Sequence, residues 1–528
     1  MPAILRLRPT RAVRIVLLHV LALLLAAIST AQAQVGQPTD SRIIPHRYLV
    51  VYRNATIPGD AFRRAQTIGA RLLQRNEHFG ITVVEAPGTT AQQDSETLRQ
   101  LSLQPNVEYV LHDRLVTAHR LLLRPATEQP LAASFTVVIG PGHTPASSDS
   151  YYNSPQGWAV RQVGGYGNNV PGGPVHGPWD TTVGKGVRIA ILDSGIDATH
   201  PDLAPNLALN LSEVDQSPQT GLPSPCDDGS PQDQQGHGTW TASLAAAALG
   251  EGTGQVIGVA PSASLLNIKV LERLPIGDGT NPALQCSSGQ ASGLLSWVIQ
   301  GIEDAMANRA DVISMSLGTT VDLNTGEGAG LKAAFDRVTY AASQAGILLI
   351  ASAGNSGYNL SDPRYIELPA QARNVLAVVA STNPACAEDT LAGSTCTPGP
   401  SALPYYSNYG APLNALAAPG GSYPEGGDLA VSGWIRGACS TGKPSTLDGP
   451  PSDAAHSYGC FDLGHASYVQ AIGTSASAPL AAGVAALIRA AHPDWSAETV
   501  LALMRSSAVV SPTLPVGAID AAAALNTQ

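Results

Sequence analysis

The sequence predicts an α/β protein with a mostly parallel sheet and helices on both faces, preceded by a smaller α+β unit. Three observations predict it. From about Gly157 onward, apolar runs of strand length alternate with longer stretches of helical spacing, as in a parallel sheet covered on both sides. Ahead of this, strand-like and helical stretches alternate over the length of a small domain. Near the C-terminus, Leu480 to Ile488 leaves no polar face, and a helix that is apolar all round is a buried one.

The 528 residues are enough for two or three domains and a large core. A hydrophobic share of 44% against 13% charged residues describes a packed chain rather than a disordered one. The net charge of -11, with no long basic run in the body, argues against nucleic acid as a partner.

Residues 1–33 read as a secretion signal. Arg6, Arg8, Arg11 and Arg14 form a basic start, residues 16–28 an apolar stretch, and Ala31-Gln32-Ala33 a small-x-small cleavage site. The apolar run is short for a membrane span and contains His19, so removal is expected rather than anchoring. The protein is therefore expected to be secreted or periplasmic, with no membrane contact after cleavage. Its cysteines are Cys226, Cys286, Cys386, Cys396, Cys439 and Cys460, and an even count in an exported chain points to disulfides. Pairing by proximity joins Cys386 to Cys396 and Cys439 to Cys460, which leaves Cys226 with Cys286. No C-x-x-C is present, so zinc is not expected.

Residues 34–120 form the smaller unit. Strands are expected at 47–53, 81–85 and 107–116. Helices are expected at 59–76, through Phe62, Ala65, Ile68, Leu72 and Leu73, and at 93–103. The alternation fits a ferredoxin-like split unit. Residues 121–154, with Pro125, Pro130, Pro141 and Pro145, read as an exposed linker open to cleavage.

Residues 155–528 carry the larger pattern. GVRIAIL at 186–192 is a nearly unbroken apolar run, expected of a strand buried on both faces. Helices follow at 237–249, 293–307 and 330–345, with strands at 264–270, 311–317, 346–352 and 374–380. In such sheets the site lies at the carboxyl ends of the strands.

At one such end stands Asp193-Ser194-Gly195-Ile196, where a carboxylate can orient a histidine; the plainer reading is a turn aspartate. Gly236-His237-Gly238-Thr239 leaves an imidazole accessible at a helix start; the plainer reading is a turn histidine. Gly473-Thr474-Ser475-Ala476-Ser477-Ala478-Pro479 puts a hydroxyl at the mouth of the buried helix, where Pro479 is tolerated in the first turn. Alone, Ser475 reads as a helix cap. Together, Asp, His and Ser occur in one of the known chain orders of convergent catalytic triads.

With these motifs the sequence resembles the subtilisin-like serine peptidases. Asp193-Ser194-Gly195-Ile196 followed by His200-Pro201-Asp202-Leu203 resembles the family's aspartate motif, and the segments around His237 and Ser475 resemble its histidine and serine motifs. Ser352-Ala353-Gly354-Asn355 resembles the segment carrying its oxyanion asparagine, and Gly517-Ala518-Ile519-Asp520-Ala521 its final segment. Residues 47–119 are similar to its propeptide. The resemblance implies Ser475 as nucleophile, His237 as base, Asp193 as its orienting partner and Asn355 as oxyanion donor. It implies that Ser288, Gly289 and Gln290, and Ser316, Leu317 and Gly318, pair with substrate backbone as extra strands, with Ser352, Ala353 and Gly354 also lining the cleft. It implies Glu367 near the floor of the first specificity pocket, favouring Lys or Arg before the cut; the alternative is a surface glutamate and an apolar preference.

The implied partners are polypeptide substrates and the chain's own propeptide, and a monomer is expected. Catalysis needs no cofactor. Structural calcium is expected without an assigned site; residues 250–257 resemble a family calcium loop only loosely. The chain departs from the family at Trp240, Ala476 and Leu480, and in an insertion after Ala418-Pro419-Gly420 holding Cys439 and Cys460. Other readings are a non-catalytic peptide binder, against which the intact motifs argue, and a nucleotide-binding protein, for which G-x-G-x-x-G and the Walker lysine are missing. An esterase side activity shares the chemistry, but the G-x-S-x-G elbow is absent.

Overall fold

The computed structural model describes residues 42–119, 122–125, 157–163, 177–217, 221–248, 256–276, 282–382, 401–410, 413–422, 434–442 and 458–526. The expected signal, nearly all of the linker, Cys386, Cys396 and most of residues 250–257 lie outside the described residues.

The small domain runs β1 (Ile43–Tyr52), α1 (Ala61–Thr67), β2 (Arg71–Asn76), β3 (Ile81–Glu85), α2 (Ala91–Ser102) and β4 (Val107–Ala118). Its strands lie in the order β4-β1-β3-β2, all antiparallel, which is the split ferredoxin-like arrangement. One correction follows. The expected helix at 59–76 ends at Thr67, and its second half is β2. Gly69 takes a φ of +75° and stops the helix. Leu72 and Leu73 then point to opposite faces as strand residues do, Leu72 toward the domain's own helices and Leu73 toward the body.

The body continues with β5 (Leu122–Pro125), β6 (Arg188–Asp193), β7 (Leu207–Ser212), α3 (His237–Ala246), β8 (Ser264–Lys269), β9 (Leu271–Leu274), β10 (Gln290–Leu294) and α4 (Leu295–Ala307). Then come β11 (Val312–Met315), β12 (Leu317–Asp322), α5 (Gly326–Gln344), β13 (Leu348–Ser352), β14 (Tyr365–Leu368) and β15 (Val375–Ser381). β16 (Ala415–Pro419), β17 (Ile435–Ala438), β18 (Tyr468–Ile472), α6 (Thr474–Ala491) and α7 (Ala497–Ser506) follow, besides short helices at Trp158–Gln162, Pro178–Thr181, Pro282–Ser287 and Ala521–Asn526. The central sheet has the order β16-β15-β13-β11-β6-β8-β7, parallel throughout.

The apolar strands have a simple cause. In β6, Ile189 and Ile191 face a core built on α3 and α6, while Ala190 and Leu192 face a core built on α4 and α5. A strand with two buried faces has no polar side to show. α6 is buried from Thr474 to Arg489. Among the described residues it alone is long and apolar enough to cross a membrane, and it lies in the core.

Two further elements differ from expectation. Gly293 and Leu294 belong to β10 rather than to the helix that follows, because Gly293 runs against the Val270 carbonyl where no Cβ fits. The strand expected at 311–317 breaks at Ser316 into β11 and β12, which join different sheets. Both disulfides within the described residues follow the proximity pairing: Cys226–Cys286 and Cys439–Cys460.

Candidate active site

The carboxyl ends of β6, β11 and β13 deliver Asp193, Ser316 and the segment leading to Asn355, and α3 and α6 begin at the same edge. His237 Nδ1 lies 2.7 Å from Asp193 Oδ1, with both side chains 1% exposed. Asp193 Oδ1 also accepts from the Ser194 N–H at 2.7 Å, and Oδ2 from Thr241 Oγ at 3.2 Å. An ionised carboxylate only accepts, so Nδ1 carries the proton and Nε2 presents its lone pair. Nε2 is buried and meets no hydrogen-bond partner among the described residues. A base held in one tautomer with an open lone pair can take a proton from a nucleophile.

Ser475 is the second residue of α6, after Gly473 at the cap position, and does not cap the helix. Its Oγ donates to the Ser316 carbonyl at 3.4 Å, and Ser316 Oγ donates to the Ser475 carbonyl at 2.9 Å. In this state the hydroxyl is therefore turned to Ser316, while α3 and α6, which carry His237 and Ser475, pack together. Asn355 Oδ1 accepts from the Thr474 N–H at 2.8 Å and from Thr474 Oγ at 2.7 Å. This fixes the amide's oxygen end on α6 and makes its Nδ2 end the donor.

The chain itself enters this cleft. β4 leaves the small domain and runs between two body strands: Leu115, Val116 and Thr117 pair with Leu294, Gly293 and Ser292, while Thr117 and Ala118 pair with Gly318 and Leu317. Beyond, β5 pairs with β18, the strand that leads into Ser475. Leu317 and Gly318 thus pair with a strand of the chain itself. The other expected segment does not. Ser288 and Gly289 lie outside the pairing and Gln290 pairs with Leu274. The partner of β4 is Ser292–Gly293–Leu294, because the space beside Gly289 is filled by the Arg273 side chain.

Glu367 is 4% exposed, which removes the surface reading. Its Oε1 lies 3.2 Å from His119 Nε2, and Ser352 Oγ lies 2.8 Å from His119 Nδ1. Gly354 lines the same cavity. Ala353 instead faces the core, its main chain bonded to Val378 and Asn408. Among the described residues no group of three or more His, Cys, Asp or Glu forms a metal site.

Sequence reading passed over three supports. Asp233 is wholly buried and accepts from Ser194 Oγ, from the N–H groups of Gln235, Gly236 and Thr239, and from Thr239 Oγ. It joins the aspartate turn to the start of α3. Burial pushes its pKa up, against the hydrogen bonds that pull it down. Its place four residues before His237 was the available signal. Arg273 donates to the carbonyls of Cys286, Gln234, Ser287 and Phe461, and burial lowers its pKa to about 10. Phe461, from the insertion, stands edge-on to the His237 ring at 6.5 Å. Nothing in the sequence near Arg273 or Phe461 announces these contacts.

The family model described as the subtilase family matches residues 184–524. An intracellular serine protease of Paenibacillus polymyxa is 38% identical over 34% of the chain and 44% of its own length. Subtilisin NAT of Bacillus subtilis subsp. natto is 33% identical over 62% of the chain and 61% of its own length. The chain thus spans less than two thirds of these relatives. The crystal structure of the epidermin leader peptide processing serine protease of Staphylococcus aureus shares the fold, with a TM-score of 0.59 at 18% identity over 91% of this chain and 98% of that one. Fervidolysin of Fervidobacterium pennivorans does so at a TM-score of 0.58 and 19% identity, over 93% of this chain and 62% of its own.

Proposed function

The chain belongs to the subtilase family, and from that membership we propose that it is a secreted serine endopeptidase made as a self-inhibited precursor. Ser475 Oγ attacks a peptide carbonyl while His237 Nε2 takes its proton. His237 then protonates the departing amine, and Asp193 stabilises the charged imidazole. Asn355 Nδ2 and the Ser475 N–H receive the oxyanion. Water releases the acyl group by the same steps in reverse. The disulfides and the basic, apolar and small-residue pattern of residues 1–33 support export.

The observation that carries this reading is the course of β4. The small domain lays residues 115–118 between β10 and β12 in extended form, as a substrate would lie, and the chain resumes as β5 against β18. Main-chain pairing of this kind binds a strand whatever its sequence, so the domain fills the cleft until it is cut away.

The test compares secreted wild type with Ser475→Ala by intact mass and N-terminal sequencing, from the 54.3 kDa chain. Wild type is expected to lose residues 34 to about 120 and the mutant to retain them. Identical processing of both would assign the cut to another enzyme. A chain that neither matures nor cleaves peptides would leave a peptide-binding module.

A further inference from the structure

We propose that the pocket beside Ser475 selects histidine as the residue before the cut, that the chain's own His119 is its first occupant, and that the bond after His119 is the self-cut. The proposal rests on the peptidase reading above.

The register comes first. Ala118 pairs with Leu317 in antiparallel sense, so residue 119 falls opposite Ser316. Ser316 is the residue whose carbonyl receives the Ser475 hydroxyl and whose own hydroxyl bonds the Ser475 carbonyl. The carbonyl carbon that follows the inserted strand is therefore the one presented to the nucleophile.

The side chain comes second. His119 is 9% exposed, with Nδ1 at 2.8 Å from Ser352 Oγ and Nε2 at 3.2 Å from Glu367 Oε1. A hydroxyl can donate and a carboxylate can only accept. A neutral ring protonated on Nε2 satisfies both: Ser352 O–H donates to Nδ1, and Nε2–H donates to Glu367. The match is to the two nitrogens of an imidazole and does not require a charged side chain. Glu367 is held for this task, its Oε2 accepting from Thr320 Oγ at 2.9 Å and its N–H donating to Gln371 Oε1 at 2.8 Å. Gly318 forms the wall, since a Cβ there would collide with both Glu367 Oε1 and His119 Nε2. An apolar occupant would leave a buried carboxylate oxygen and a buried hydroxyl without partners, which costs about tenfold or more in kcat/KM.

The step balances as ordinary acyl transfer. Ser475 Oγ bonds the His119 carbonyl carbon and its proton passes to His237 Nε2. The bond from that carbon to the nitrogen of residue 120 breaks, and the nitrogen takes the proton from His237. Water then frees the His119 carboxyl group from Ser475.

The test uses processed wild-type enzyme and a peptide set that differs only before the cut: His, Lys, Arg, Leu, Phe and Ala, at pH 8. The histidine peptide is expected to exceed the leucine and phenylalanine peptides about tenfold or more in kcat/KM, and Glu367→Leu to erase that ratio. In the full chain, His119→Leu is expected to slow the first self-cut about tenfold, and the first wild-type product to begin at residue 120. Equal rates on His, Leu and Phe would overturn the proposal while leaving the peptidase reading intact. So would Lys or Arg well above His, which describes a simple cation pocket, or a first product beginning elsewhere. If no peptide is cut at all, the peptidase reading fails and takes this one with it.

Discussion

The two halves of β4 are held in different ways. Residues 107–114 pair with β1 inside the small domain, and the side chains around them reach the body through buried charge. Arg47 bonds Asp113 at 2.8 Å, Asp215 at 2.7 Å and Ser296 Oγ at 3.0 Å. His112 lies between Asp94 at 2.8 Å and Glu327 of α5 at 2.5 Å. Residues 115–118 meet the body through main chain on both edges. Main-chain pairing reads shape and is indifferent to pH and to most side chains, so any extended peptide can take that place. The charged half depends on particular partners and titrates. The first half of β4 makes the small domain specific to this body; the second makes it a stand-in for substrate.

The largest effect is expected from breaking the charged half. Arg47→Ala, in the Ser475→Ala precursor, leaves Asp113 with its side chain 0% exposed and its main counter-charge gone. Removing one partner of a buried pair costs about 3–5 kcal/mol. Urea unfolding measures it, and a loss below about 1 kcal/mol would mean that the main-chain half alone joins the domains.

Next comes the main-chain half. Gly318→Ala puts a methyl group where Glu367 Oε1 and His119 Nε2 already lie, an overpacking of about 1–3 kcal/mol. The self-cut and peptide hydrolysis should slow together about tenfold. Slowing of only one would separate self-cutting from substrate binding.

The smallest effect sharpens the contrast through pH. Burial opposes the charged form of His112, but hydrogen bonds to Glu327 and Asp94 outweigh it and raise its pKa above 6.5. A group with a raised folded pKa contributes fully below its unfolded value and loses that contribution as pH rises through the folded one. Asp94 and Glu327 are also opposed by burial. Tyr48 and His112 hold Asp94 below 3.8, and His112 holds Glu327 below 4.5. Their share is complete above those values and fades as pH falls through the lowered ones. The stabilisation contributed by this cluster, read from the melting of the precursor against pH, should therefore be greatest between about pH 4.5 and 6.5 and be lost as pH rises through the raised His112 value. His112→Asn should flatten the alkaline side, and a profile unchanged by that substitution would move the titration elsewhere.

Much of the site was legible because its chemistry is local. Glycines beside His237, a turn after Asp193 and a buried helix behind Ser475 are signals within a few residues. The misreadings share a cause. Residues 59–76 kept helical spacing through a glycine that ends the helix, and Gly289 looked like a substrate strand although Arg273, close in the chain, fills its space. Spacing reports which residues are apolar, not which neighbour covers them. Arg273, through the carbonyls of Gln234 and Phe461, and Phe461, against the His237 ring, support the site through contacts that no local pattern encodes.

By itself the sequence determined the parallel sheet, since strands without a polar side require cover on both faces, and it determined the residue types and chain order of the site. Only the tertiary structure decided that His119 reaches Ser352 and Glu367, that Ser475 rests on Ser316, and that Gly293, set against Val270, belongs to β10 and not to the helix after it. Those facts depend on distances between segments far apart in the chain. Side-chain pattern constrains burial, whereas register and approach are set by how whole elements pack.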